Sequence, residues 1–454
     1  MNEILLIAGI VFAILLLLFL VLKLKIHAFI SLLIVSIAVG LMAGMDFNLI
    51  IQSMKDGMGN TLGFVATVVG LGAIFGQMLE SSGGAEAIAQ NLIKHFGDKR
   101  ASWALVLTGF IVAIPVFLDV GFIILIPIVY ELTKQSKRSI LYYAIPLLAG
   151  LAVTHAFIPP TPGPVAVAEI LDAQLGWIII MGFVIGLPTA IIAGPVFGKY
   201  ISKRIHVAVP DYFSEKEPAT RQKNLPSFRT IILIIALPLL LIVANSVAEV
   251  LFSKGILQNR TVYQTIGLLG HPFTALIIST LLAMYVLGIK RGFNKDQLMK
   301  LSNKALGPAG LIILVTGAGG VFKQILIDSG VGAMLAEKLA GSAMPPLVLA
   351  YLIAALVRII QGSATVSMIT AAGMMAPMIG LFDLSQIDKA LIVIAIAAGS
   401  TILSHVNDSG FWLVGKYLGM NEKETLRSWT IMETLISVVG FLMVLLMSFL
   451  LRGA

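Results

Sequence analysis

The chain has 454 residues, of which 58% are hydrophobic and only 12% charged, and its formal net charge is +8. A soluble domain would carry about 45–50% apolar and about 25% charged residues, so the composition excludes a soluble protein and indicates a multi-pass helical membrane protein. The chain has no cysteine, which excludes disulfides and thiolate metal sites.

Apolar runs long enough to cross a membrane recur along the whole chain. The first, MNEILLIAGIVFAILLLLFLVLKLK, lacks a basic n-region and a small-residue cleavage site, which predicts a retained helix and not a signal peptide. Several later runs are too long or too broken for one plain helix. The runs lie near residues 3–22, 28–44, 61–79, 101–133, 140–176, 177–198, 230–248, 272–289, 308–327, 345–382, 390–412 and 429–451.

Lysine and arginine predict the orientation of these runs. With the N-terminus outside, 23 of the 31 basic residues fall in inner loops, which places both termini on the outer side. The positive charge therefore reflects topology, and no nucleic-acid partner is expected. A polar cytoplasmic linker, residues 201–228, is predicted to separate a first repeat, residues 1–200, from a second, residues 229–454.

The two parts resemble each other in sequence. GLGAIFGQMLESSGG from Gly70 aligns without gaps on GAGGVFKQILIDSGV from Gly317, with seven of fifteen positions identical. A similar offset relates His27 to His271, and AGLAVTH to AGSTILSH. The charge count places the loop after the first copy inside and the loop after the second outside, which predicts an inverted repeat. Inverted repeats are typical of secondary transporters, whose substrate site lies near the bilayer midplane.

The stretch HAFIPPTPGPVAV, which begins at His155, interrupts an apolar run with four prolines and a glycine. Proline removes a backbone donor and clashes with the preceding turn, so the helix must unwind at or just after His155. Unwound backbone at membrane depth is tolerated only where it lines a cavity or is buried in protein. The break therefore predicts a substrate or ion site that includes His155, Pro160 and Thr161.

The matching stretch of the second repeat is SHVNDSGFW, residues 404–412, which is rich in poor helix formers. Before each break lies another interrupted apolar run, around Asp119 and Gly121 in the first repeat and around Arg358 and Gly362 in the second. Each run is either a pair of spanning helices or a re-entrant hairpin. We favour hairpins whose tips meet the broken helices, so that each repeat has about five transmembrane helices, one hairpin and one broken helix.

The motifs PVFLDVGFIILIPI, THAFIPPTPGP, IIQGSATVSMITAAG and SHVNDSGFW, the last followed by METLISVVG, resemble the gluconate permease family over nearly the whole chain. The resemblance implies an ion-transporter type of fold and symport of protons with gluconate or a related hydroxycarboxylate across the bacterial cytoplasmic (inner) membrane. Close gluconate carriers tend to have glutamate, histidine and leucine where this chain has Asp119, Thr161 and Gln361. These positions are candidates for tuning the substrate.

A hydroxy acid brings one carboxylate, and the second hairpin carries groups that would hold it. Gly362, Ser363 and Thr365 open a half-helix whose free N–H groups and positive dipole end favour an anion. Arg358, one turn earlier, can grip a carboxylate with two hydrogen bonds. The alternative for Arg358 is a structural ion pair or an anchor at the inner interface.

The hydroxyls of such an acid need donors and acceptors, which Asn407, Asp408 and Ser409 offer, with a helix cap as the alternative role. Proton coupling needs an intramembrane group that changes charge, and the coupling ion is the only cofactor expected. Asp119 and Asp408 are the predicted carriers, ahead of His155 and His405, because a lone histidine at a helix end is more often structural.

Three further polar residues lie in apolar surroundings, and we favour an interfacial or packing role for them: Glu169, Lys323 and Glu433. No metal site is expected. H-E-x-x-H and G-x-S-x-G motifs are absent, which argues against an enzyme. The open alternatives are a carrier of D-glycerate or D-serine and a passive organic-anion channel. A homodimer is compatible with this architecture.

Overall fold

The computed structural model describes residues 15–17, 19–210, 224–330, 345–379, 382 and 384–452. Within these ranges every regular element is a helix, and seven helices are long and apolar enough to cross a membrane. The predicted all-α multi-pass fold is thereby confirmed. Most of the first apolar run, the middle of the linker and the loop after Gly330 lie outside the described residues.

The first bounded element among the described residues is a short π-helical turn, Phe19–Lys23, and the last helix of the first repeat continues through another π-helical turn, Ile192–Val196, into Phe197–Ile201. Its main helices are α1 (Ala28–Met42), α2 (Phe47–Ser81), α3 (Gly84–Phe96), α4 (Ala101–Val112), α5 (Leu118–Ser136), α6 (Leu141–Phe157), α7 (Pro162–Ile170) and α8 (Leu175–Ile191).

The second repeat has a short helix, α10, directly before α11. Its helices are α9 (Phe228–Ser253), α10 (Arg260–Gly270), α11 (Pro272–Ala283), α12 (Lys295–Asp328), α13 (Pro346–Gln361), α14 (Ala364–Ile379), α15 (Gln386–Gly399), α16 (Ser409–Leu418) and α17 (Glu422–Arg452).

The helices of the two repeats follow the same order, with α1, α2 and α4–α8 matched by α11–α17. Equivalent helices also make equivalent contacts. α4 packs against α6 as α13 packs against α15, and α7 packs against α14 as α5 packs against α16. The long helices α2 and α12 pack against each other. The described elements therefore agree with two structural repeats, whereas the repeat boundaries stay a prediction.

Equivalent histidines begin equivalent helices. His27 Nδ1 accepts a hydrogen bond from the Phe29 backbone N–H at 3.2 Å where α1 starts, and His271 Nδ1 accepts one from Phe273 at 3.3 Å where α11 starts. Each ring satisfies one of the N–H groups that have no partner within the helix at its first turn. The histidines that the sequence comparison paired are therefore helix caps in both repeats.

Equivalent glycines allow equivalent helix crossings. A Cβ atom at Gly150 would lie 2.2 Å from the Val106 carbonyl oxygen, and one at Gly399 would lie 2.4 Å from the Tyr351 carbonyl oxygen. Backbone therefore meets backbone where α6 crosses α4 and where α15 crosses α13. Small residues are what permits such close approach between membrane helices.

Gly150→Ala is expected to lower stability by about 1–3 kcal/mol, because the added methyl group forces two packed helices apart. Thermal unfolding in detergent, followed by tryptophan fluorescence, measures the effect. Gly63→Ala is the matched control, because no atom lies within 4 Å of a Cβ at Gly63. Equal melting temperatures for the two variants would contradict the close crossing.

The interrupted runs before each break have the dimensions of hairpins. α4 has 12 residues, and α13 and α14 have 16 each. At 1.5 Å per residue these helices are about 18–24 Å long, short of the roughly 30 Å hydrocarbon core. α13 and α14 pack against each other, and α4 and α5 both pack against α3 and α6. At least one helix of each run is therefore too short to span, which favours re-entrant hairpins over paired spans, although α5, with 19 residues, is about 28 Å long.

Candidate substrate site

The proline-rich stretch unwinds the chain between α6 and α7, as its composition predicts. α6 ends at Phe157 and α7 begins at Pro162. Thr161 precedes α7, and its hydroxyl donates a hydrogen bond to the Ile158 carbonyl oxygen at 2.6 Å. The predicted site residue Thr161 is buried and therefore helps to hold the shape of the break.

The tip of the first hairpin meets this break. A small pocket joins α2, the tip and the break, and it is lined by Val69, Gly72, Ala73, Ile114, Pro115, Val116, Phe117, Pro160, Thr161 and Pro162. The predicted site residue His155 lies beside the tip, with its ring centroid 6.1 Å from that of Phe117. A Cβ atom at Gly76 of α2 would overlap the Pro115 carbonyl, so the tip rests directly on α2.

A buried ion pair joins the second hairpin to the second break. Arg358, at the end of α13, is 3% exposed, and its Nη2 atom lies 2.5 Å from Asp408 Oδ2. Its Nη1 atom donates to the carbonyl oxygen of Gly362 at the tip. Asp408 also accepts hydrogen bonds from the Ser404 hydroxyl and, at 3.0 Å, from the Gly410 backbone N–H. The predicted site residues Arg358, Gly362 and Asp408 thus form one bonded group.

Helix α17 holds the second break through hydrogen bonds to Ser404. Trp429 Nε1 donates to Ser404 Oγ at 2.7 Å, and the Thr430 hydroxyl donates to the Ser404 carbonyl oxygen. Ser404 in turn donates to Asp408. The carboxylate partner of Arg358 is therefore held in place by two successive residues of a long membrane helix.

Asn407 and His405 close the C-terminal end of α13. Asn407 Nδ2 donates to the carbonyl oxygens of Ile359 at 3.1 Å and Ile360 at 3.3 Å, and His405 Nε2 lies 3.0 Å from the Ile359 oxygen. Carbonyls in the last turn of a helix lack intrahelical partners and need such donors. Asn407 is therefore a cap of α13, the role that the sequence analysis kept as the alternative to substrate binding.

The start of α14 presents backbone N–H groups beside the ion pair. Gly362 has a φ of +87°, which turns the chain sharply between α13 and α14. Ser363 Oγ accepts from the Val366 N–H at 3.4 Å, while Ser363 and Thr365 both lie at the partly exposed start of the helix. The dipole end that the sequence predicts for an anion is thus adjacent to Arg358.

The first break approaches the second hairpin through α7 and α14. A Cβ atom at Gly163, in the first turn of α7, would lie 2.6 Å from Met368 Sδ, in the second turn of α14. α7 begins just after the first break and α14 just after the second hairpin tip, so this contact lies within two turns of the positive end of each helix. The start of α7 therefore contacts the second hairpin, while convergence of both broken helices on one substrate site stays a prediction.

Asp119 and Asp408 belong to different groups of side chains. Asp119 lies exposed in the first turn of α5 and interacts electrostatically with His155 and Glu80. Glu80 is 3.9 Å from Lys304 of α12. No motif singled out Glu80. In the repeat alignment it stands where the second copy has an isoleucine, and a charged residue in place of an apolar one is the signal that could have identified it.

The packing role favoured for Glu169 and Lys323 is consistent with the structure. Glu169, at the end of α7, interacts electrostatically with Lys323 of α12. Nearby, Lys389 Nζ of α15 lies 3.3 Å from Asp172 Oδ2. These pairs connect the two repeats. Glu433, by contrast, interacts electrostatically with Arg358 and Asp408, which no sequence motif indicated.

Comparison with known proteins decides the family. The family model described as GntP family permease matches residues 5–450. The chain belongs to the GntP permease family. The low-affinity gluconate transporter of Escherichia coli (strain K12) is 43% identical over 428 residues, which cover 94% of this chain and 95% of that protein. The gluconate permease of Bacillus subtilis (strain 168) is 40% identical, over 96% of this chain and 97% of that protein.

Another relative of this GntP permease is the Gnt-II system L-idonate transporter of Escherichia coli (strain K12), 41% identical over 95% of this chain and 96% of that protein. Among solved structures, the Alcanivorax borkumensis YdaH transporter, reported to have an unusual topology, matches with a TM-score of 0.60 and 18% identity. The match covers 89% of this chain and 90% of that one, and it shows the fold alone. The protein is a multi-pass membrane permease and not an enzyme, as predicted.

Proposed function

We propose that this GntP permease takes up gluconate or a closely related sugar acid by proton symport across the bacterial cytoplasmic membrane, with both termini on the outer side. The names of the relatives, which refer to gluconate and L-idonate, support this substrate class. Such acids combine one carboxylate with a row of hydroxyls. D-Glycerate and D-serine are the alternatives within the same type of carrier.

One observation carries the proposal: Arg358 is a buried guanidinium with an unused donor. Its Nε atom has no hydrogen-bond partner among the residues that the structure describes, although Nη1 and Nη2 are engaged. A buried donor without a partner costs free energy, and a substrate carboxylate would supply the missing acceptor. The start of α14 would favour the same negative charge.

The polar groups around Arg358 suit the hydroxyl end of the substrate. Ser363 and Thr365 lie at the start of α14, and Ser409 is exposed at the start of α16. Asn407 caps α13 with its amide nitrogen, so its side-chain oxygen is the group we assign to a hydroxyl. Across the contact between α7 and α14, Pro160 and Thr161 would form the opposite wall.

Counterflow in proteoliposomes tests the substrate. The purified protein is reconstituted with internal gluconate, and entry of labelled gluconate is measured alone and in competition with L-idonate, D-glycerate and D-serine. Saturable counterflow inhibited most strongly by the sugar acids supports the proposal. Strongest inhibition by D-serine or D-glycerate would reassign the substrate, and linear, unsaturated flux would indicate a channel.

Asp119→Asn is expected to abolish accumulation of substrate against its gradient, because asparagine cannot take up a proton. Uptake driven by an imposed pH difference is the measurement. Asp98→Asn, at the exposed start of a short loop helix, is the matched control. If the Asp119 variant still concentrates the substrate, Asp119 is not an essential proton carrier.

A further inference from the structure

Glu433 is a buried carboxyl group that the proposed binding contacts leave unused. It lies in α17, is 4% exposed, and has an Oε1 atom without a hydrogen-bond partner in the described part of the chain. An unpaired carboxylate inside a protein is costly, and a packing role alone would be served by an apolar residue. Intramembrane carboxyl groups in transporters are commonly part of ion or proton pathways.

The position of Glu433 links it to the anion site. Trp429 and Thr430, three and four residues earlier on α17, bind Ser404 of the second break. Residues at these spacings share one face of a helix, so Glu433 lies on the face of α17 that supports the break. Two charged groups from other elements interact with it electrostatically: Arg358 of α13 and Asp408 of the break.

A charge count relates these three groups to transport. With Glu433 ionised, the site holds one positive and two negative groups, and an anionic substrate alone would add a third negative charge. An anion that arrives together with one proton leaves the net charge unchanged. Because the group is largely removed from water, the extra charge would be poorly compensated by solvent. Binding of the anion together with one proton is therefore favoured.

We propose that Glu433 is the residue that takes up the proton accompanying each anion bound at Arg358. The inference rests on the proposed symport function, and it adds Glu433 to the predicted carriers. Asp408 is less suited to this step, because it already accepts hydrogen bonds from Arg358, Ser404 and Gly410. Glu433 has a free acceptor atom where a proton can be held.

Glu433→Gln tests the proposal, because glutamine resembles the protonated acid and cannot release a proton. Gluconate counterflow at equal pH on both sides should persist, since exchange needs no net proton movement. Accumulation driven by an imposed pH difference should fall to simple equilibration. For one proton per anion, the ratio of internal to external gluconate reached by the wild type would rise about tenfold for each unit of the imposed pH difference. Glu433→Asp should recover part of the accumulation.

Glu422→Gln is the control, because Glu422 is exposed at the start of the same helix. Accumulation at the wild-type ratio by Glu433→Gln would overturn the assignment. So would loss of counterflow in a variant that still elutes as a single folded species, because Glu433 would then be needed for binding. If the wild type itself shows counterflow without accumulation, it is the proposed symport that fails.

Discussion

Arg358→Lys should reduce gluconate counterflow by up to about 10²–10⁴-fold, the range that corresponds to the cost of about 3–5 kcal/mol for breaking a buried ion pair. The guanidinium donates to the Gly362 carbonyl and to Asp408 at once, while Nε remains available for a substrate. A lysine ammonium is a point charge without this planar fork and cannot serve all these acceptors. Counterflow in proteoliposomes, with the reconstituted amount measured in parallel, gives the magnitude.

Arg427→Lys is the matched control, because Arg427 is exposed on α17 and belongs to no part of the proposed site. Its counterflow should equal that of the wild type. An Arg358→Lys protein with wild-type apparent affinity for gluconate would contradict the anion-binding role. If the variant keeps wild-type affinity and only its melting temperature falls, Arg358 has a structural role, as in the structural ion pair that the sequence analysis kept as the alternative.

Gly362→Ala should lower both stability and transport, because two independent constraints act on this residue. A left-handed backbone costs an alanine about 1–2 kcal/mol, and Gly362 has a φ of +87°. A Cβ atom would also lie 2.4 Å from the Asn407 carbonyl oxygen, so the break would have to move. Displacement of the break would separate Asp408 from Arg358. We expect at least about tenfold slower counterflow and a lower melting temperature.

Gly362→Asn separates the two constraints, because asparagine tolerates the left-handed conformation but still carries a Cβ atom. Transport should remain low if the contact with Asn407 is decisive. Gly307→Ala in α12 is the control, because no atom lies within 4 Å of a Cβ at Gly307 and its backbone is helical. Wild-type transport by Gly362→Ala would show that the tip and the break do not need this close contact.

Much of the fold was predictable from local pattern. The apolar runs, the proline-rich break and the glycine at the second hairpin tip all lie where the structure has helices, an interruption and a left-handed turn. The paired histidines His27 and His271 also marked equivalent helix starts. These features depend on residues close together in the chain, such as a proline and the turn before it.

The contacts of the site were less predictable. The sequence assigned Arg358 to the substrate carboxylate, with an ion pair as the alternative, and Asp408 to hydroxyls and proton transfer, whereas the structure pairs the two residues. It left the role of Asn407 open between substrate and cap, and the cap on α13 became visible only when the break was seen against that helix end. The partner of each polar side chain depends on which of several nearby acceptors lies within about 3 Å of its donor atom.

Glu433 illustrates the same limit for a single residue. In the sequence it is one acidic residue in a long apolar helix, for which packing was favoured. Its relation to Arg358 and Asp408 arises because Trp429 and Thr430 hold the second break against α17. No sequence spacing predicts this relation, because Glu433, Arg358 and Asp408 come from three separate elements.

The sequence by itself determined that this chain crosses a membrane many times and that its helices break at two places, because hydropathy and proline act locally on the backbone. Only the tertiary structure decided that Arg358 is neutralised by Asp408, that Gly163 brings the start of α7 against α14, and that Glu433 interacts electrostatically with the ion pair. Those relations follow from the packing of distant helices, in which a shift of one or two ångströms makes or removes a hydrogen bond.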